Sequence, residues 1–332
     1  MKDVLRDFNH SGMLLALLFL SACASTPIKY KDVTPPSAIQ IVPVTSARPV
    51  VALALGSGGN RGFAHVGVIK VLEENNIPVD IVVGTSAGSV VGALYAGGYH
   101  ADKLEQIAFD LNQSELDDYD LTAAGYIRGE RLQDFINQAL QNRSIEQLDK
   151  PFAAMATELV SGRAAAFNQG NTGMAVRASS SIPGVFQPVL INGSEYVDGG
   201  LTNPVPVNIA QKMGADIVIA VDVSRQPQNH PKTSNVIKIL LQSVSIMRQR
   251  IIDNEITAAQ VVIRPQIGLT PDLNAESKQS LIKAGEDAAN AALPEIRYWL
   301  KKVADEKLLK KPVKPASYLE RGKSFGGIET AH

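Results

Sequence analysis

A serine between two glycines is the first pattern in this chain whose residue types and spacing could do chemistry. Residues 84–88 read Gly-Thr-Ser-Ala-Gly, a G-x-S-x-G motif centred on Ser86. In such a motif the serine lies on a sharp turn from a strand to a helix, with its hydroxyl exposed as a nucleophile. The apolar segment 79–83 precedes the motif and small residues follow it, as that turn requires. A serine that only caps a helix would leave the flanking Gly84 and Gly88 unexplained, so the pattern favours a nucleophile.

A serine nucleophile needs a base, and histidine, the usual base, is scarce here. Of the five histidines in the chain, four follow the N-terminal segment: His65, His100, His230 and His332. None of them stands in a context that identifies a member of a catalytic triad. His65 lies nearest to the motif by inference, but its position early in a helix favours a structural role.

Asp198 is another candidate for the base. It follows a short β-like segment and precedes Gly199 and Gly200, on a turn where little blocks its approach to another side chain. Aspartate before glycine is also common in turns that have no catalytic task, and sequence separation from Ser86 does not decide between the two interpretations. A carboxylate can accept a seryl proton directly when an oxyanion hole carries much of the stabilisation.

The glycine-rich loop at residues 56–62, GSGGNRG, lies between an apolar strand and a helix, so its backbone N–H groups could face an anion. A dinucleotide would need G-x-G-x-x-G, which fails at Arg61, or at Ser57 when the frame starts one residue later. A P-loop would need Gly-Lys-Ser or Gly-Lys-Thr, which is absent. The oxyanion of a tetrahedral acyl intermediate is therefore the anion that fits best.

Together these motifs resemble the patatin-like phospholipase family, most closely its bacterial single-domain branch. The resemblance covers most of the folded part, from about Val50 to Ser224, and implies a three-layer α/β/α sandwich with a mostly parallel central sheet. The segments that carry it are GSGGNRG at 56–62, GTSAG at 84–88, SGRAAAF at 161–167, VRASSSIPGVFQPV at 176–189, DGGLTNPVPV at 198–207 and GADIVIAVD at 214–222.

The family uses a Ser–Asp dyad, and the resemblance carries its parts over to this chain. Ser86 matches the nucleophile, and Asp198 of the D-G-G motif matches the general base, which explains the missing histidine. Ser57 stands where the family loop often has glycine, a departure that keeps the backbone N–H. The remaining matches are the oxyanion loop at Gly58, Gly59, Asn60, Arg61 and Gly62, the elbow glycines Gly84 and Gly88, and Gly199 and Gly200 of the D-G-G motif.

Neighbouring residues are interpreted as supporting ones. Arg61 is expected to anchor its loop rather than to face lipid phosphate, residues 179–181 to shape the wall of the site, and Asn203 to position Asp198. Asp222 is interpreted as structural. No group of His, Cys, Asp and Glu has metal-ligand spacing, so neither a metal nor a cofactor is expected.

Apolar periodicity predicts strands and helices in alternation, the order that produces a parallel sheet with right-handed crossovers. The predicted strands are 50–55, 79–83, 152–159, 164–167, 216–221 and 261–264. The predicted helices are 63–74, 86–95, 128–140, 206–213, 236–255 and 275–292.

The N-terminal segment, residues 1–22, resembles a bacterial signal peptide. Its apolar run at 12–20 is too short to span a bilayer of about 30 Å. Leu20-Ser21-Ala22-Cys23 resembles a lipobox, which predicts a fatty-acyl anchor such as palmitate on Cys23, the only cysteine. Alanine rather than aspartate after Cys23 favours the outer membrane. This residue does not determine the face of the membrane; the periplasmic face is the expectation for the enzyme. Residues 23–49 are predicted to be a tether.

Composition limits the remaining possibilities. The 332 residues are 45% hydrophobic, which suffices for a large core, and the net charge of −1 does not predict a nucleic-acid partner. A folded domain is predicted at 50–300, with residues 110–129 as a candidate lid. A basic, partly disordered tail is predicted at 301–332; contact with anionic lipid is the alternative to a solvated tail.

These observations predict a lipid-anchored serine acyl hydrolase whose substrate is a phospholipid, a lysophospholipid or another lipid ester; oligomeric state is not predicted. Two alternatives stay open. An envelope lipoprotein could use the fold as a non-enzymatic binding module. A nucleotide- or phosphate-binding protein could use the glycine loop, although this leaves G-T-S-A-G and D-G-G unexplained.

Overall fold

The computed structural model describes residues 34–111, 118–122, 125–224, 236–268 and 273–309. Its strands are β1 Val51–Leu55, β2 Ile81–Thr85, β3 Tyr119–Thr122, β4 Gly125–Ile127, β5 Phe152–Glu158, β6 Ala164–Phe167, β7 Val189–Ile191, β8 Ser194–Asp198, β9 Ile217–Val221 and β10 Val261–Ile263. Its α-helices are α1 Phe63–Glu74, α2 Ala87–Ala96, α3 Ala101–Asp110, α4 Glu130–Ala139, α5 Thr172–Ser179, α6 Val207–Lys212, α7 Val236–Glu255 and α8 Ala275–Leu309.

The central sheet has the strand order β10-β9-β1-β2-β5-β8-β7, with β6 also paired to β5. Strands β10, β9, β1, β2 and β5 are parallel, whereas β6, β7 and β8 are antiparallel to their neighbours. The expectation of a mostly parallel sheet is therefore confirmed. The β3–β4 hairpin pairs apart from this sheet.

Alternate residues of the buried strands face two separate cores, which creates the three layers. Leu53 and Leu55 of β1 belong to the larger core, which includes buried residues of α1–α5 and α8. Ala52 and Ala54 belong to the second core, under α6 and Ile252 of α7. Helices thus cover both faces of the sheet, as expected for a three-layer sandwich.

The last helix is longer than the sequence predicted. The apolar pattern was expected to end at 292, and 301–332 to be a tail, but α8 continues through Pro294 to Leu309. Proline removes one helical hydrogen bond, yet Ile296 beyond it is fully buried and Trp299, Leu300 and Val303 pack against the core. This packing holds the helix together past the proline. Residues 310–332 lie outside the described part of the chain.

The predicted tether at 23–49 is also shorter than expected, because residues 34–49 pack against the domain. The Ser37 N–H donates to the Gln169 carbonyl at 3.0 Å, and the Val44 N–H donates to the Met213 carbonyl at 2.8 Å. Lys307 of α8 donates to the carbonyls of Ser46 and Arg48. Residues 34–49 are therefore held against the domain and against the end of α8 by hydrogen bonds that composition does not reveal.

Within the described residues, no helix has the length and apolarity that a membrane crossing needs. The predicted signal peptide and Cys23 lie outside this part of the chain, as do residues 112–117 and 123–124 of the candidate lid.

Candidate active site

Ser86 and Asp198 are brought together because β2 and β8 pair with the same strand, β5. Strand β2 pairs with the first half of β5, with Thr85 opposite Met155. Strand β8 pairs with the second half, with Asp198 opposite Ala156. Since β6 occupies the other edge of β5, β2 and β8 lie end to end along the same edge. They run in opposite directions, so both end at the same point.

Ser86 lies on a strained turn between β2 and α2. Its backbone angles are φ 55° and ψ −124°, a region that residues other than glycine seldom occupy. A Cβ at Gly84 would lie 2.4 Å from the Gly88 carbonyl oxygen, and a Cβ at Gly88 would lie 2.2 Å from that of Leu55. The two glycines are therefore needed for close packing of the elbow, which keeps the serine in this conformation.

The two side chains are in direct contact. The Ser86 hydroxyl donates a hydrogen bond of 2.6 Å to Asp198 Oδ2, and both residues are buried. The other carboxylate oxygen, Oδ1, accepts from the Gly200 N–H at 2.7 Å. Gly200 thus orients the carboxylate, so that one oxygen is held and the other faces the seryl proton.

Burial raises the pKa of Asp198 from 3.8 to about 6, against the opposing effects of the bonds from Ser86 and Gly200 and the positive charge of Arg248. A carboxyl with this pKa is ionised at neutral pH, yet it binds a proton more readily than an exposed aspartate does. The Asp198 carboxylate therefore has the protonation state and the proton affinity that a general base needs.

The glycine-rich loop packs directly beside the serine elbow. Residues 59–62 form a 3₁₀ turn, and Gly62 lies so close to Ala87 that a Cβ would sit 2.6 Å from the Ala87 Cβ. The N–H of Arg61 donates to the Gly58 carbonyl at 3.2 Å, whereas those of Gly58 and Gly59 form no hydrogen bond within the described part of the chain. Of the loop residues that the sequence predicted, Gly58 and Gly59 thus present backbone donors, while the N–H of Arg61 is already engaged.

Arg61 holds the loop in place with its side chain. Its Nε donates to the Val223 carbonyl at 2.7 Å, two residues beyond the end of β9. This contact agrees with the anchoring interpretation of Arg61.

The serines at 179–181 position the pair rather than merely line its surroundings. Ser179 Oγ accepts from the Ser86 N–H at 2.9 Å. The Ser181 carbonyl accepts from the Asp198 N–H at 2.9 Å. The last residue of α5 and the turn that follows it therefore connect the elbow to the strand that carries the carboxylate, a role that the sequence did not indicate.

His65 is buried near this site but is committed to another contact. Its Nε2 lies 2.8 Å from the Gly56 carbonyl, which can only accept, so Nε2 carries the proton. Burial lowers the pKa of His65 to about 4, which keeps the ring neutral. No hydrogen bond joins His65 to Ser86 within the described residues.

His100 and Asp222 are engaged in contacts that do not include Ser86 or Asp198. His100 is exposed and contacts Glu73, and His230 and His332 lie outside the described residues. Asp222 is buried and paired with Arg264 at 3.1 Å. Within the described residues, no group of His, Cys, Asp and Glu is arranged to hold a metal ion.

Two residues of α7 near the site were missed by sequence reasoning. Glu255 accepts from Asn203 Nδ2 at 2.8 Å and from the Val205 N–H at 2.9 Å, just beyond the D-G-G motif. Arg248 lies close enough to Asp198 to influence its pKa. Nothing in the sequence indicated either role, because these contacts join residues about 50 positions apart and leave no local pattern.

The fold and this site define an α/β protein in which a strained serine elbow meets a buried carboxylate. Comparison with known proteins supports the same assignment: residues 53–210 match the model described as patatin-like phospholipase. The chain therefore carries a patatin-like phospholipase domain, as the motifs implied.

Relatives in several organisms share this domain. An uncharacterized NTE family protein of Mycobacterium tuberculosis is 40% identical over 182 residues, which are 54% of this chain and 50% of that protein. Human patatin-like phospholipase domain-containing protein 6 is 35% identical over 191 residues, 55% of this chain and 14% of that protein. Lysophospholipase nte1 of Aspergillus fumigatus is 36% identical over 188 residues, 55% of this chain and 12% of that protein.

The chain matches about half the length of the mycobacterial relative and a smaller share of the other two. Among solved structures, it is similar to VipD from Legionella pneumophila, with a TM-score of 0.49 and 12% identity over 83% of this chain and 72% of that chain.

Proposed function

We propose that this protein is a serine hydrolase of lipid esters, with Ser86 as the nucleophile and Asp198 as the general base. The observation that carries the proposal is the 2.6 Å hydrogen bond from the seryl hydroxyl to a buried carboxylate. The patatin-like phospholipase domain supports a lipid ester as the substrate, and the lysophospholipases among the relatives favour a phospholipid or lysophospholipid.

The first half of the reaction forms an acyl-enzyme. Ser86 Oγ attacks the ester carbonyl carbon while its proton moves to Asp198 Oδ2, and the carbonyl oxygen becomes an oxyanion. The N–H groups of Gly58 and Gly59 donate to that oxygen. When the intermediate collapses, the C–O bond to the alcohol breaks and the alcohol takes the proton from Asp198.

The second half repeats these steps with water. Asp198 accepts a proton from a water molecule, whose oxygen attacks the acyl carbon, and the same two N–H groups hold the oxyanion. The bond to Ser86 then breaks, Asp198 returns the proton to Ser86 Oγ, and a fatty acid leaves. The enzyme regains its starting protonation state, so this mechanism requires no cofactor.

Ester hydrolysis by the full-length protein in detergent micelles tests this proposal. Wild type, Ser86→Ala, Asp198→Asn and His65→Ala are compared on a short-chain nitrophenyl ester and on a lysophospholipid, with the exposed Asp102→Asn as a control. The proposal expects the first two changes to abolish turnover and His65→Ala to retain it. A His65→Ala variant that is folded but inactive would indicate a catalytic triad that includes His65. A wild type that cleaves neither ester would favour the binding module.

We also propose that lipid on Cys23 holds the enzyme at a bacterial outer membrane, on the periplasmic face. The support is the lipobox-like Leu20-Ser21-Ala22-Cys23 after an apolar run. An anchor raises the concentration of the enzyme at a lipid substrate. In this proposal residues 1–22 are removed, residues 24–33 span the distance to the packed domain, and the domain extends from residue 34 to 309.

Mass spectrometry of the mature protein and fractionation of Cys23→Ala test the anchor. Lipidation predicts an N-terminal Cys23 that carries acyl chains, and loss of outer-membrane association when the thiol is removed. An unmodified cysteine, or a Cys23→Ala protein that stays with the outer membrane, would contradict it.

A further inference from the structure

Helix α7 is fixed against the segment that follows the D-G-G motif. Glu255, at its end, accepts hydrogen bonds from Asn203 and Val205. Ile252, three residues earlier, is fully buried in the second core. One face of α7 therefore points toward residues 203–205, which lead directly away from Asp198.

Arg248 lies on that same face of α7. It precedes Ile252 by four residues and Glu255 by seven, spacings that bring side chains to one side of a helix. At about 1.5 Å per residue, Arg248 is about 10 Å along the axis from Glu255. Arg248 is half-buried, whereas Arg250, on the opposite side of α7, is exposed.

The negative charges that act on Arg248 are the carboxylates of Asp198 and Asp222, and each already has other partners. Burial lowers the pKa of Arg248, and these two carboxylates oppose the effect. Asp222 is bonded to Arg264 and to the Ser224 N–H. Asp198 is bonded to Ser86 and the Gly200 N–H. Within the described residues, Arg248 itself forms neither a hydrogen bond nor a salt bridge.

A half-buried guanidinium without a bonded partner is costly, because part of its hydration is lost and no direct bond replaces it. Proton transfer increases the imbalance. When Asp198 accepts the seryl proton it becomes neutral, and Arg248 loses one of the two negative charges near it. A bound anion beside Arg248 would offset both effects, which points to a ligand that carries one.

We propose that Arg248 binds the phosphate of a phospholipid or lysophospholipid whose ester carbonyl lies at Ser86. The guanidinium fork matches two phosphate oxygens, which makes arginine well suited to this contact. In such lipids the phosphate is only a few covalent bonds from the ester, so one molecule can reach both Ser86 and Arg248. This inference rests on the proposed function and makes Arg248 a determinant of substrate specificity.

The surface next to Arg248 favours a lipid over free phosphate as the source of this group. Leu240, Val244 and Met247 form an exposed stripe on α7 at i, i+4 and i+7, adjoining the face that carries Arg248. Leu201, three residues after Asp198, is also 39% exposed. Acyl chains can contact this apolar stripe while the phosphate contacts the guanidinium.

Hydrolysis of two esters with the same acyl chain tests the proposal in the full-length protein. One is lysophosphatidylcholine, which has a phosphate, and the other is a monoacylglycerol, which has none. We expect Arg248→Gln to lower kcat/KM for lysophosphatidylcholine about 10–100-fold and to change the monoacylglycerol rate less than about threefold. Arg248→Lys should lie between wild type and Arg248→Gln, and Arg250→Gln should change neither rate.

An equal loss on both esters would overturn the proposal, because it would show that Arg248 acts through Asp198. No loss on either ester would overturn it as well. Melting temperatures of the variants identify any loss that is due to unfolding.

A binding measurement separates this proposal from the catalytic one. An ether-linked lysophosphatidylcholine has no ester to cleave, and its affinity is compared with that of the matching alkylglycerol. Arg248→Gln should weaken binding of the ether phospholipid about 10-fold or more and leave the alkylglycerol unchanged. This result would support the phosphate contact even if turnover were absent. Equal affinity for the ether phospholipid in wild type and Arg248→Gln would overturn it.

Inorganic phosphate is added as a competitor to distinguish the two sources of the anion. The proposal expects weak displacement of the ether phospholipid. Arg248-dependent binding of inorganic phosphate that is as tight as binding of the lipid would instead indicate a site for free phosphate.

Discussion

Two buried titratable side chains lie beside the glycine-rich loop, and they are prepared for opposite tasks. His65, on α1, donates to the Gly56 carbonyl, and burial lowers its pKa to about 4. Asp198, at the end of β8, accepts from Ser86, and burial raises its pKa to about 6. Burial favours the neutral form in both cases. Only the Asp198 carboxylate contacts Ser86. The hydrogen bond to the serine therefore identifies the base, whereas proximity to the glycine-rich loop does not distinguish Asp198 from His65.

The same comparison applies to stability. Between about pH 4 and 6, the folded state retains the proton of Asp198 more strongly than the unfolded state, so ionisation of Asp198 lowers stability as pH rises through about 6. His65 acts in the other direction, because its folded-state pKa is below 6.5 and stability falls as pH drops from about 6.5 toward 4. At the pH at which Asp198 acts as a base, its ionised form lowers the stability of the fold. The neutral His65 ring has no such cost at that pH.

Removal of the nucleophile should have the largest effect. Ser86→Ala eliminates the atom that forms the acyl-enzyme, and kcat should fall by about 10⁴-fold or more. Steady-state hydrolysis of a nitrophenyl ester measures it. Activity within about 10-fold of wild type would exclude Ser86 as the nucleophile.

Asp198→Asn should lower kcat about 10³–10⁴-fold, because the amide accepts no proton from Ser86. The same change should stabilise the protein at pH 8, where Asp198 is ionised. The rise of the Asp198 pKa from 3.8 to about 6 corresponds to about 3 kcal/mol. Urea unfolding at pH 8 and at pH 4 measures the gain, which should be small at the lower pH. If Asp198→Asn were less stable than wild type at pH 8, the claim that the ionised Asp198 carboxylate destabilises the fold would be contradicted.

A methyl group at Gly58 should displace the oxyanion loop. A Cβ there would lie 2.5 Å from Val223 Cγ2, so Gly58→Ala should shift the donors and lower kcat about 10²-fold. Val223→Ala removes the obstructing methyl groups, and the double variant should recover most of the loss. The kcat values of wild type, Gly58→Ala, Val223→Ala and the double variant measure this recovery. Loss without recovery would mean that the contact with Val223 is not the cause.

His65→Gln should have the smallest effect on activity. The glutamine amide can donate to the Gly56 carbonyl in place of Nε2, and kcat should stay within about 10-fold of wild type, with a cost of about 1–2 kcal/mol in stability. The loss of stability between pH 6.5 and 4 should also shrink, because the variant has no ring to protonate. A His65→Gln variant that is folded but inactive would indicate that His65, and not Asp198, is the base.

Several elements could be predicted from the sequence because local pattern and tertiary structure agree there. The limits of α1 coincide with the predicted ones, since apolar spacing and the two asparagines after it both mark the helix. The elbow was recognisable because only glycines fit at 84 and 88. The D-G-G motif likewise marks the turn whose Gly200 N–H holds Asp198.

Other features depend on contacts between distant residues, which leave no local pattern. The end-to-end meeting of β2 and β8 beside β5 is a property of strand pairing, and it brings together residues 112 positions apart. Ser179 holds the Ser86 N–H through a side chain that looks like any other in a serine run. Helix α8 continues past Pro294 because its far side packs on the core, which outweighs the local preference to stop.

The pH dependence of covalent labelling of Ser86 by a fluorophosphonate tests the central claim most directly. Peptide mapping gives the modified residue, and the labelling rate is measured from pH 4.5 to 8.5 for wild type, Asp198→Asn and His65→Gln. We expect the reagent to modify Ser86 in wild type, at a labelling rate that falls below about pH 6 as Asp198 is protonated. Asp198→Asn should be labelled slowly and should not show this fall in rate. The pH dependence of labelling of His65→Gln should match that of wild type. Labelling at another residue, or a pH dependence that disappears with His65 instead of Asp198, would contradict the dyad.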